Sequence, residues 1–209
     1  MKIILASQSQ RRRELLAWSG VPFEAVAPDV EEIEVSDRPE DTVRFNSKAK
    51  AEWAFALYPD SVIIGADTVV FLDRIMGKPE TMALARQMLK ELSGRTHAVY
   101  TAVTVILSSG RDAATGVALS RVTVKELDDE VISEYFRLVN PLDKAGGYAI
   151  QEYGEILIEK CEGSFSNVIG LPLELLGEIM GRYPETGAYM DMINTTALEI
   201  SDTFRGGAP

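Results

Sequence analysis

Apolar and polar positions follow one another along the chain in blocks that predict strands and helices in alternation. Short runs of β-branched and apolar residues are typical of buried strands, and apolar positions three or four residues apart are typical of helices with one buried face. The predicted strands are Lys2–Ala6, Phe23–Ala27, Ser61–Leu72, His97–Leu107, Gly116–Val124 and Ile156–Ile158. The predicted helices are Arg13–Trp18, Pro39–Tyr58, Met82–Leu92, the segment from Asp128 to Leu138, and Leu173–Met180.

The order of these elements predicts an α/β fold in which a mixed twisted sheet carries flanking helices. The two β-rich segments 97–107 and 116–124 are expected to pair as antiparallel neighbours through the turn region 108–110. Neither an internal repeat nor a low-complexity tract interrupts this order.

The pattern weakens after Pro184, where one short helix is expected around Met190–Ile200. Residues 1–183 are therefore predicted to form a single domain. Residues 184–209 are predicted to be a C-terminal extension of unknown role.

Composition and charge narrow the class of protein. A chain of 209 residues that is 46% hydrophobic can bury a full core. Its formal net charge of −11 argues against wrapping long nucleic acid, which is bound by basic surfaces. The apolar run Met1–Ala6 is too short for a signal peptide or a membrane span, and the single cysteine, Cys161, cannot form an intramolecular disulfide. A cytoplasmic protein without nucleic-acid or membrane partners is expected.

The loop after the first strand combines hydroxyl groups and cations. Ser7 and Ser9 precede Arg11, Arg12 and Arg13, the densest basic run in the chain. Because the backbone N–H groups and the dipole at a helix start favour anions, this loop suits a phosphate group. The alternative is a solvated helix N-terminus.

Asp67 interrupts the apolar strand Ser61–Leu72. An unpaired carboxylate there would carry a large desolvation cost, which a metal ion or a cationic partner would remove. The alternative is a structural aspartate that accepts hydrogen bonds from a neighbouring turn. Glu31 and Glu32 offer further oxygen ligands for a hard divalent cation such as Mg²⁺ or Mn²⁺, or else form an acidic surface loop. Lysines at positions 48, 50 and 78 are candidate functional cations or ordinary surface groups.

Two segments, residues 5–16 around the loop after the first strand and residues 64–70 around Asp67, resemble motifs of the Maf family. Residues 5–16, Leu-Ala-Ser-Gln-Ser-Gln-Arg-Arg-Arg-Glu-Leu-Leu, are similar to the opening motif, and residues 64–70, Ile-Gly-Ala-Asp-Thr-Val-Val, are similar to the central motif. Further similar segments keep the family's order: Gly77–Pro79, Leu92–His97, Thr101–Val103, Pro141–Gln151 and Val168–Leu173. The resemblance spans residues 2–181.

The resemblance implies a nucleoside triphosphate pyrophosphatase with two lobes around a central cleft, often as a homodimer. In such an enzyme water attacks, the α–β phosphoanhydride breaks, and a nucleoside monophosphate and pyrophosphate leave with help from Mg²⁺ or Mn²⁺. Carried over position by position, the resemblance makes Asp67 the general base or the metal-anchoring carboxylate, with Glu32 as the second metal ligand. It assigns triphosphate binding to Ser7, Arg12, Lys48 and Lys78.

Three positions report base preference in this family. Arg11, Thr68 and Gln151 match the branch that acts on dTTP and UTP, whereas the 7-methyl-GTP branch carries an aromatic residue, Gln and Glu. Uracil and thymine present an acceptor, donor, acceptor edge, which a glutamine amide can meet with one acceptor and one N–H donor. The resemblance therefore implies dTTP and UTP as substrates and a role in nucleotide pool sanitation.

The sequence also departs from the family pattern. The segment Phe45–Lys48 is one residue shorter than usual, which makes Lys50 the alternative to Lys48 as a phosphate ligand. Glu152 and Tyr153 replace the small residues that often follow the specificity glutamine. Two other functions fit the resemblance: a pyrophosphatase for modified nucleotides with broad pyrimidine preference, and a non-enzymatic regulator of cell division at the septum.

Overall fold

A computed structural model describes residues 2–35, 37–107 and 113–205 of the protein. The strands are β1 (Lys2–Ala6), β2 (Glu24–Val26), β3 (Ser61–Leu72), β4 (Arg74–Met76), β5 (Thr96–Ile106), β6 (Ala113–Val124) and β7 (Ile158–Glu162). The helices are α1 (Gln10–Trp18), α2 (Pro39–Leu57), α3 (Met82–Leu92), α4 (Asp129–Leu138), α5 (Gly154–Leu157), α6 (Phe165–Ile169), α7 (Leu173–Gly181) and α8 (Gly187–Arg205). A short 3₁₀ turn covers Ala145–Gly147.

The strands form one seven-stranded mixed sheet in the order β2-β1-β3-β5-β6-β7, with β4 paired to β3. β1 is parallel to both β2 and β3, whereas β3, β5, β6 and β7 are antiparallel neighbours. The prediction of a mixed α/β fold is confirmed, as is the antiparallel pairing of β5 with β6. The turn region 108–110 expected between them lies outside the described residues.

The long strand β3 divides the helices between its two faces. Its even-numbered apolar residues, including Ile64 and Val70, enter the main core. Its odd-numbered residues face α2 so closely that a Cβ atom on Gly65 would lie 2.4 Å from the carbonyl oxygen of Ser47 and 2.9 Å from the nitrogen of Ala51. Because only glycine permits this approach, α2 is held against the middle of β3.

One edge of β3 is open over four residues. β1 pairs with β3 only as far as Gly65, which is the partner of Ala6, and the pairing of β3 with β4 begins at Val70, the partner of Met76. Residues 66–69 thus pair with β5 on one side and with no described strand on the other. Asp67 and Thr68 lie in this gap, beside the loop that follows β1.

The other face of the sheet is covered by the helices of the C-terminal half, and α8 belongs to that core. Its buried residues Ile193, Ala197 and Ile200 join the same apolar cluster as α7. The two helices approach closely at Gly177, where a Cβ atom would lie 2.1 Å from Oδ1 of Asn194. None of the helices in the described ranges is both long enough and apolar enough to cross a membrane.

Two sequence predictions about the C-terminal third differ from the structure. The expected strand Ile156–Ile158 is wrong, because Gly154–Leu157 is a short helix and the strand begins at Ile158. This strand, Ile158–Glu162, is mostly exposed and rich in charged residues, so it lacks the apolar run of a buried strand. The expected short helix around Met190–Ile200 is extended at both ends, from Gly187 to Arg205.

Candidate active site

A cavity of about 820 Å³ opens at the gap in the edge of β3. It is large enough for a nucleotide, since small-molecule sites in proteins span roughly 300–1,000 Å³. Its walls are the loop after β1, the segment before α2, the face of α2, the β4–α3 turn and the segment that follows α4. The polar and charged residues of its lining include Ser7, Arg11, Arg12, Glu32, Asn46, Lys50, Asp67, Thr68, Lys78, Asp143 and Gln151.

The loop after β1 turns sharply into helix α1. The backbone N–H of Ser7 donates to Val26 O at 2.9 Å, and the hydroxyl of Ser9 caps the helix by accepting from the backbone N–H of Arg12 at 3.4 Å. Ser7 is buried at the floor of this loop. The hydroxyl of Ser7 and the helix start therefore face the cavity together, which is the arrangement predicted for an anion site.

Arg12 is the buried cation of this loop. Its Nε donates to the carbonyl oxygen of Gly170 at 2.7 Å, and its terminal nitrogens donate to Ser7 Oγ at 3.3 Å and Thr68 Oγ1 at 2.9 Å. Burial lowers the pKa of Arg12, while the negative charge of Asp67 acts in the opposite direction. Its guanidinium is held by three different segments, so its position is fixed before any ligand binds.

Helix α2 places two polar side chains against Asp67. Lys50 Nζ lies 2.7 Å from Asp67 Oδ1, and Asn46 Nδ2 donates to Asp67 Oδ2 at 3.1 Å. Asn46 and Lys50 are four residues apart and therefore lie on the same face of the helix. All three side chains are buried, and Asp67, the carboxylate that interrupts the apolar strand, has a cationic partner.

The same lysine also joins the second predicted carboxylate to the site. Lys50 Nζ lies 2.7 Å from Glu32 Oε1 as well as from Asp67, so both carboxylates converge on one cation position. Partial burial acts to raise the pKa of Glu32, but the hydrogen bond from Lys50 and the positive charges of Lys50, Lys78 and Arg12 hold it below its ordinary value. Glu32 is therefore ionised at neutral pH.

Lys48 does not lie at the cavity. Its side chain is 62% exposed, and its ammonium group is 3.6 Å from Glu52 one turn further along α2. Side chains two positions apart in a helix point about 200° apart around its axis, so only one of Lys48 and Lys50 can face β3. The position expected for Lys48 is the one that Lys50 occupies.

Two further cations stand at the mouth of the cavity. Lys78 lies in the exposed turn after β4 and makes no hydrogen bond or ion pair with the described residues. Arg11 points across the cavity to Asp143, with its terminal nitrogens 3.6 Å from Oδ2 and 3.4 Å from the backbone oxygen. A ligand could reach both without breaking a buried contact.

The remaining predicted specificity residues, Thr68 and Gln151, differ in how many of their hydrogen-bonding groups already have partners. The hydroxyl of Thr68 is engaged, accepting from Arg12 and lying 3.0 Å from Thr101 Oγ1. Gln151 uses its Nε2 to donate to Glu152 Oε1 at 3.3 Å, whereas its Oε1 is buried without a partner among the described residues. The cavity thus contains a buried acceptor that no donor within residues 2–35, 37–107 and 113–205 satisfies.

The single histidine lies below the cavity. Nε2 of His97 is 2.7 Å from the hydroxyl of Tyr148, a residue of the lining. Burial lowers the pKa of His97 to about 4 and raises that of Tyr148. His97 is therefore a buried residue that packs against Tyr148 and shares a hydrogen bond with it.

Sequence reasoning missed Asn46. Besides its bond to Asp67, its amide exchanges two hydrogen bonds with the backbone of Ile33, both at 3.0 Å, and so fixes the segment that carries Glu32. The signal lay in the helical pattern, because Asn46 and Lys50 share a face with the buried apolar residues Val43 and Ala54. Polar residues on the apolar face of a helix mark a site.

Known proteins provide independent comparisons. The sequence model described as Maf-like protein matches residues 2–183. A dTTP/UTP pyrophosphatase of Akkermansia muciniphila is 49% identical over 173 residues, which cover 82% of this chain and 90% of that protein. The dTTP/UTP pyrophosphatase of Thermotoga maritima is 45% identical over 183 residues, and that of Syntrophus aciditrophicus is 44% identical over 181 residues; each alignment covers 86% of this chain and 88% of the relative. The predicted site residues other than Lys48 line one cavity. Because the family's sequence model covers nearly the whole chain and these relatives are 44–49% identical, the chain belongs to the Maf family.

Proposed function

We propose that this protein is a nucleoside triphosphate pyrophosphatase that hydrolyses dTTP and UTP to the monophosphate and pyrophosphate. The observation that carries the proposal is the cavity at the open edge of β3, where Arg12, Lys50 and Lys78 surround the buried carboxylate of Asp67. Relatives named dTTP/UTP pyrophosphatase, at 44–49% identity over most of this chain, support the same activity.

The cations suit a triphosphate. Phosphoryl-group chemistry depends mainly on positioning and on neutralising the charge of phosphate oxygens. Arg12 supplies a fixed buried guanidinium, and Lys78 supplies an exposed ammonium at the mouth of the cavity. Lys50 takes the role that the sequence resemblance gave to Lys48, and the hydroxyl of Ser7 lies beside Arg12 as a further donor.

Asp67 is the catalytic carboxylate in this proposal. Water attacks the α-phosphorus and passes its proton to Asp67, the bond between the α-phosphorus and the bridging oxygen breaks, and pyrophosphate leaves with the electron pair. Each oxygen of Asp67 already accepts one hydrogen bond and keeps a lone pair for the water. Arriving phosphate oxygens compete for Lys50, which frees Oδ1 of Asp67 to accept a hydrogen bond from the attacking water.

A divalent cation fits the acidic pair. Glu32 and Asp67 each place an oxygen 2.7 Å from one cationic position, now held by Lys50 Nζ. The described residues contain no group of three or more acidic, histidine or cysteine side chains arranged to hold a metal. Glu32 and Asp67 are the two carboxylates that would hold Mg²⁺ or Mn²⁺, which prefer oxygen ligands. When bound, the ion would neutralise charge on the substrate's phosphate oxygens.

The base lies at the opposite end of the cavity in this proposal. Arg11 faces one carbonyl of uracil or thymine, and the unpaired Oε1 of Gln151 accepts the N3–H group. Thr68 acts through Arg12, since its hydroxyl is already bound there. A pyrimidine edge therefore meets complementary groups at this end.

The test is pyrophosphate release by the purified protein with Mg²⁺ or Mn²⁺ across dTTP, UTP, CTP, ATP, GTP, 7-methyl-GTP and 5-methyl-UTP. We expect dTTP and UTP to be hydrolysed fastest and EDTA to abolish the activity. Equal rates on all nucleotides would contradict the base preference, and faster turnover of the methylated pyrimidine would favour a role with modified nucleotides. No release from any nucleotide would favour the regulatory alternative.

Asp67→Asn tests the catalytic assignment. We expect turnover to fall by at least about 100-fold, the cost of losing a central catalytic group, without loss of the fold. The matched control is Asp73→Asn at the turn after β3, where Asp73 is exposed and has a φ of 58° that asparagine also adopts. Full activity of Asp67→Asn would remove Asp67 from its role.

A further inference from the structure

Gln151 has two chemically different ends, and its neighbour Glu152 decides which end faces the cavity. We propose that Glu152 is a positioning residue that fixes the Gln151 amide with its oxygen toward the base, and so lets the site accept uracil and thymine and reject cytosine. The proposal rests on the proposed function. It concerns a residue that departs from the family pattern and does not itself line the cavity.

The orientation follows from hydrogen-bond chemistry. An ionised carboxylate only accepts hydrogen bonds, so the side of the Gln151 amide that faces Glu152 must be the N–H donor. Nε2 of Gln151 indeed donates to Glu152 Oε1 at 3.3 Å. A flipped amide would place two acceptors against each other, which is the unfavourable arrangement.

The opposite side of the amide supports a ligand. Oε1 of Gln151 is buried and accepts no hydrogen bond from the described residues. Buried acceptors without a partner are rare in folded proteins because they lose the hydration of the unfolded chain. An N–H group of a ligand would satisfy this oxygen.

Glu152 is itself held from behind. Lys144 Nζ lies 3.5 Å from Glu152 Oε2 and 2.9 Å from Asp143 Oδ1, and it donates to the backbone oxygen of Asn140 at 3.0 Å. The Lys144 side chain is only 5% exposed, so its ammonium group cannot leave Glu152 and Asp143 for solvent without exposing buried contacts.

The same ion-pair chain reaches the other end of the base site. Asp143, which Lys144 holds, is also the partner of Arg11. Arg11 and Gln151, the two groups proposed to contact the base, are therefore the ends of one connected series whose four charged members, Arg11, Asp143, Lys144 and Glu152, alternate in sign. Its middle members keep the spacing of the two ends without contacting the base.

The chemical consequence concerns position 3 of the pyrimidine. Uracil and thymine carry an N3–H donor, whereas cytosine carries an N3 acceptor. With Oε1 of Gln151 fixed toward the base, uracil forms a hydrogen bond and cytosine meets a second acceptor. A glutamine free to rotate would serve both bases equally, because its amide offers a donor and an acceptor.

The experiment measures kcat/KM for UTP and CTP in the wild type, Glu152→Gln and Glu152→Ala. Glutamine at position 152 can accept from or donate to Gln151, and alanine removes the partner, so both variants release the amide. We expect the ratio of UTP to CTP to fall by about 10-fold or more, mainly through better use of CTP. The matched control is Glu162→Gln on the exposed strand β7, whose ratio should match the wild type.

The outcomes separate the inference from the proposed function. A wild type that hydrolyses neither UTP nor dTTP overturns the proposed function. A wild type that prefers UTP over CTP, with an unchanged ratio in both Glu152 variants, overturns the role of Glu152 alone. Equal losses with both substrates also overturn it, because a merely structural role would lower both rates without changing their ratio.

Discussion

The ammonium group of Lys50 lies 2.7 Å from Oδ1 of Asp67, and less than a tenth of either side chain is exposed. Each charge is the reason that the other can be buried, since a buried ion without a partner carries a large desolvation cost. The proposed catalytic carboxylate on β3 and the proposed phosphate ligand on α2 therefore already form an ion pair before any substrate binds.

Lys50→Met should damage both activity and stability. Removing one partner of a buried pair leaves Asp67 without its cation, which costs about 3 kcal/mol of unfolding free energy. The loss of a phosphate ligand should reduce kcat/KM by about 100-fold. Urea unfolding and pyrophosphate release measure the two effects.

Lys48→Met is the matched control, because it removes the same charge from the same helix at an exposed position. We expect its unfolding free energy to change by less than about 0.5 kcal/mol and its activity to remain near that of the wild type. If Lys48→Met were the inactive variant and Lys50→Met the active one, the assignment made from the sequence resemblance would stand and the geometric one would fail.

Gly65→Ala should loosen the contact between β3 and α2. The added Cβ would meet the backbone of Ser47 and Ala51, neither of which can rotate away, so we expect a loss of about 1–3 kcal/mol. Because α2 carries Asn46 and Lys50, activity should also fall. Gly187→Ala provides the comparison, since nothing lies within 4 Å of a Cβ there. Equal unfolding free energies of the two variants would contradict the close approach.

Arg12→Lys should reduce activity, because the three hydrogen bonds that Arg12 donates need a guanidinium group. A lysine keeps the charge but cannot reach Gly170, Ser7 and Thr68 at once, so at least one of these acceptors loses its donor. We expect kcat/KM for UTP to fall by about 10-fold or more. Arg13→Lys, whose side chain lies outside the cavity lining, should keep nearly full activity. A similar loss in both variants would count against this need for a guanidinium group.

His97 should make the protein less stable as the pH falls. Its folded pKa of about 4 lies below the ordinary value of 6.5, so the unfolded chain binds a proton in this window that the folded protein does not. The stabilisation is complete above pH 6.5 and is lost progressively on acidification toward pH 4. Between pH 7 and pH 5 the loss should be about 2 kcal/mol.

The measurement is urea unfolding of the wild type and His97→Gln at both pH values. Glutamine can accept a hydrogen bond from the hydroxyl of Tyr148 but does not titrate. The pH dependence of the unfolding free energy that remains in the variant therefore comes from the carboxylates. The difference between the two slopes isolates the histidine. Parallel slopes would mean that His97 takes up its proton at an ordinary pKa.

The core strands and most helices could be predicted from the sequence because each has a strong local signal. Ser61–Leu72 is an apolar run buried on both faces, and Met82–Leu92 has an N-cap at Thr81 and an apolar face. The short helix α6 and the edge strand β7 could not be predicted, since neither has such a signal. Phe165–Ile169 is only five residues long, and β7 is held by its pairing with β6.

Site residues could be predicted where the neighbouring sequence marks them. They could not be predicted where only tertiary contacts bring them together. Arg12 and Asp67 each stand out locally, one by its basic run and the other by its apolar surroundings. The choice between Lys48 and Lys50 needed the helical phase of α2, which the buried positions of that helix contain. The contact of Lys144 with Glu152 joins two residues whose proximity depends on the 3₁₀ segment and the turn that follows it, and no periodic sequence pattern predicts that turn.

Helix α8 lies beyond residue 183, where the match to the family's sequence model ends, yet Ile193, Ala197 and Ile200 are buried in the same cluster as α7. Helix α7 packs closely against α8 at Gly177, where the absence of a side chain makes room for Asn194. A protein cut after residue 183 would display the uncovered side of α7 to water and should aggregate. The last residue matched by the family's sequence model and the last residue buried in the core therefore differ.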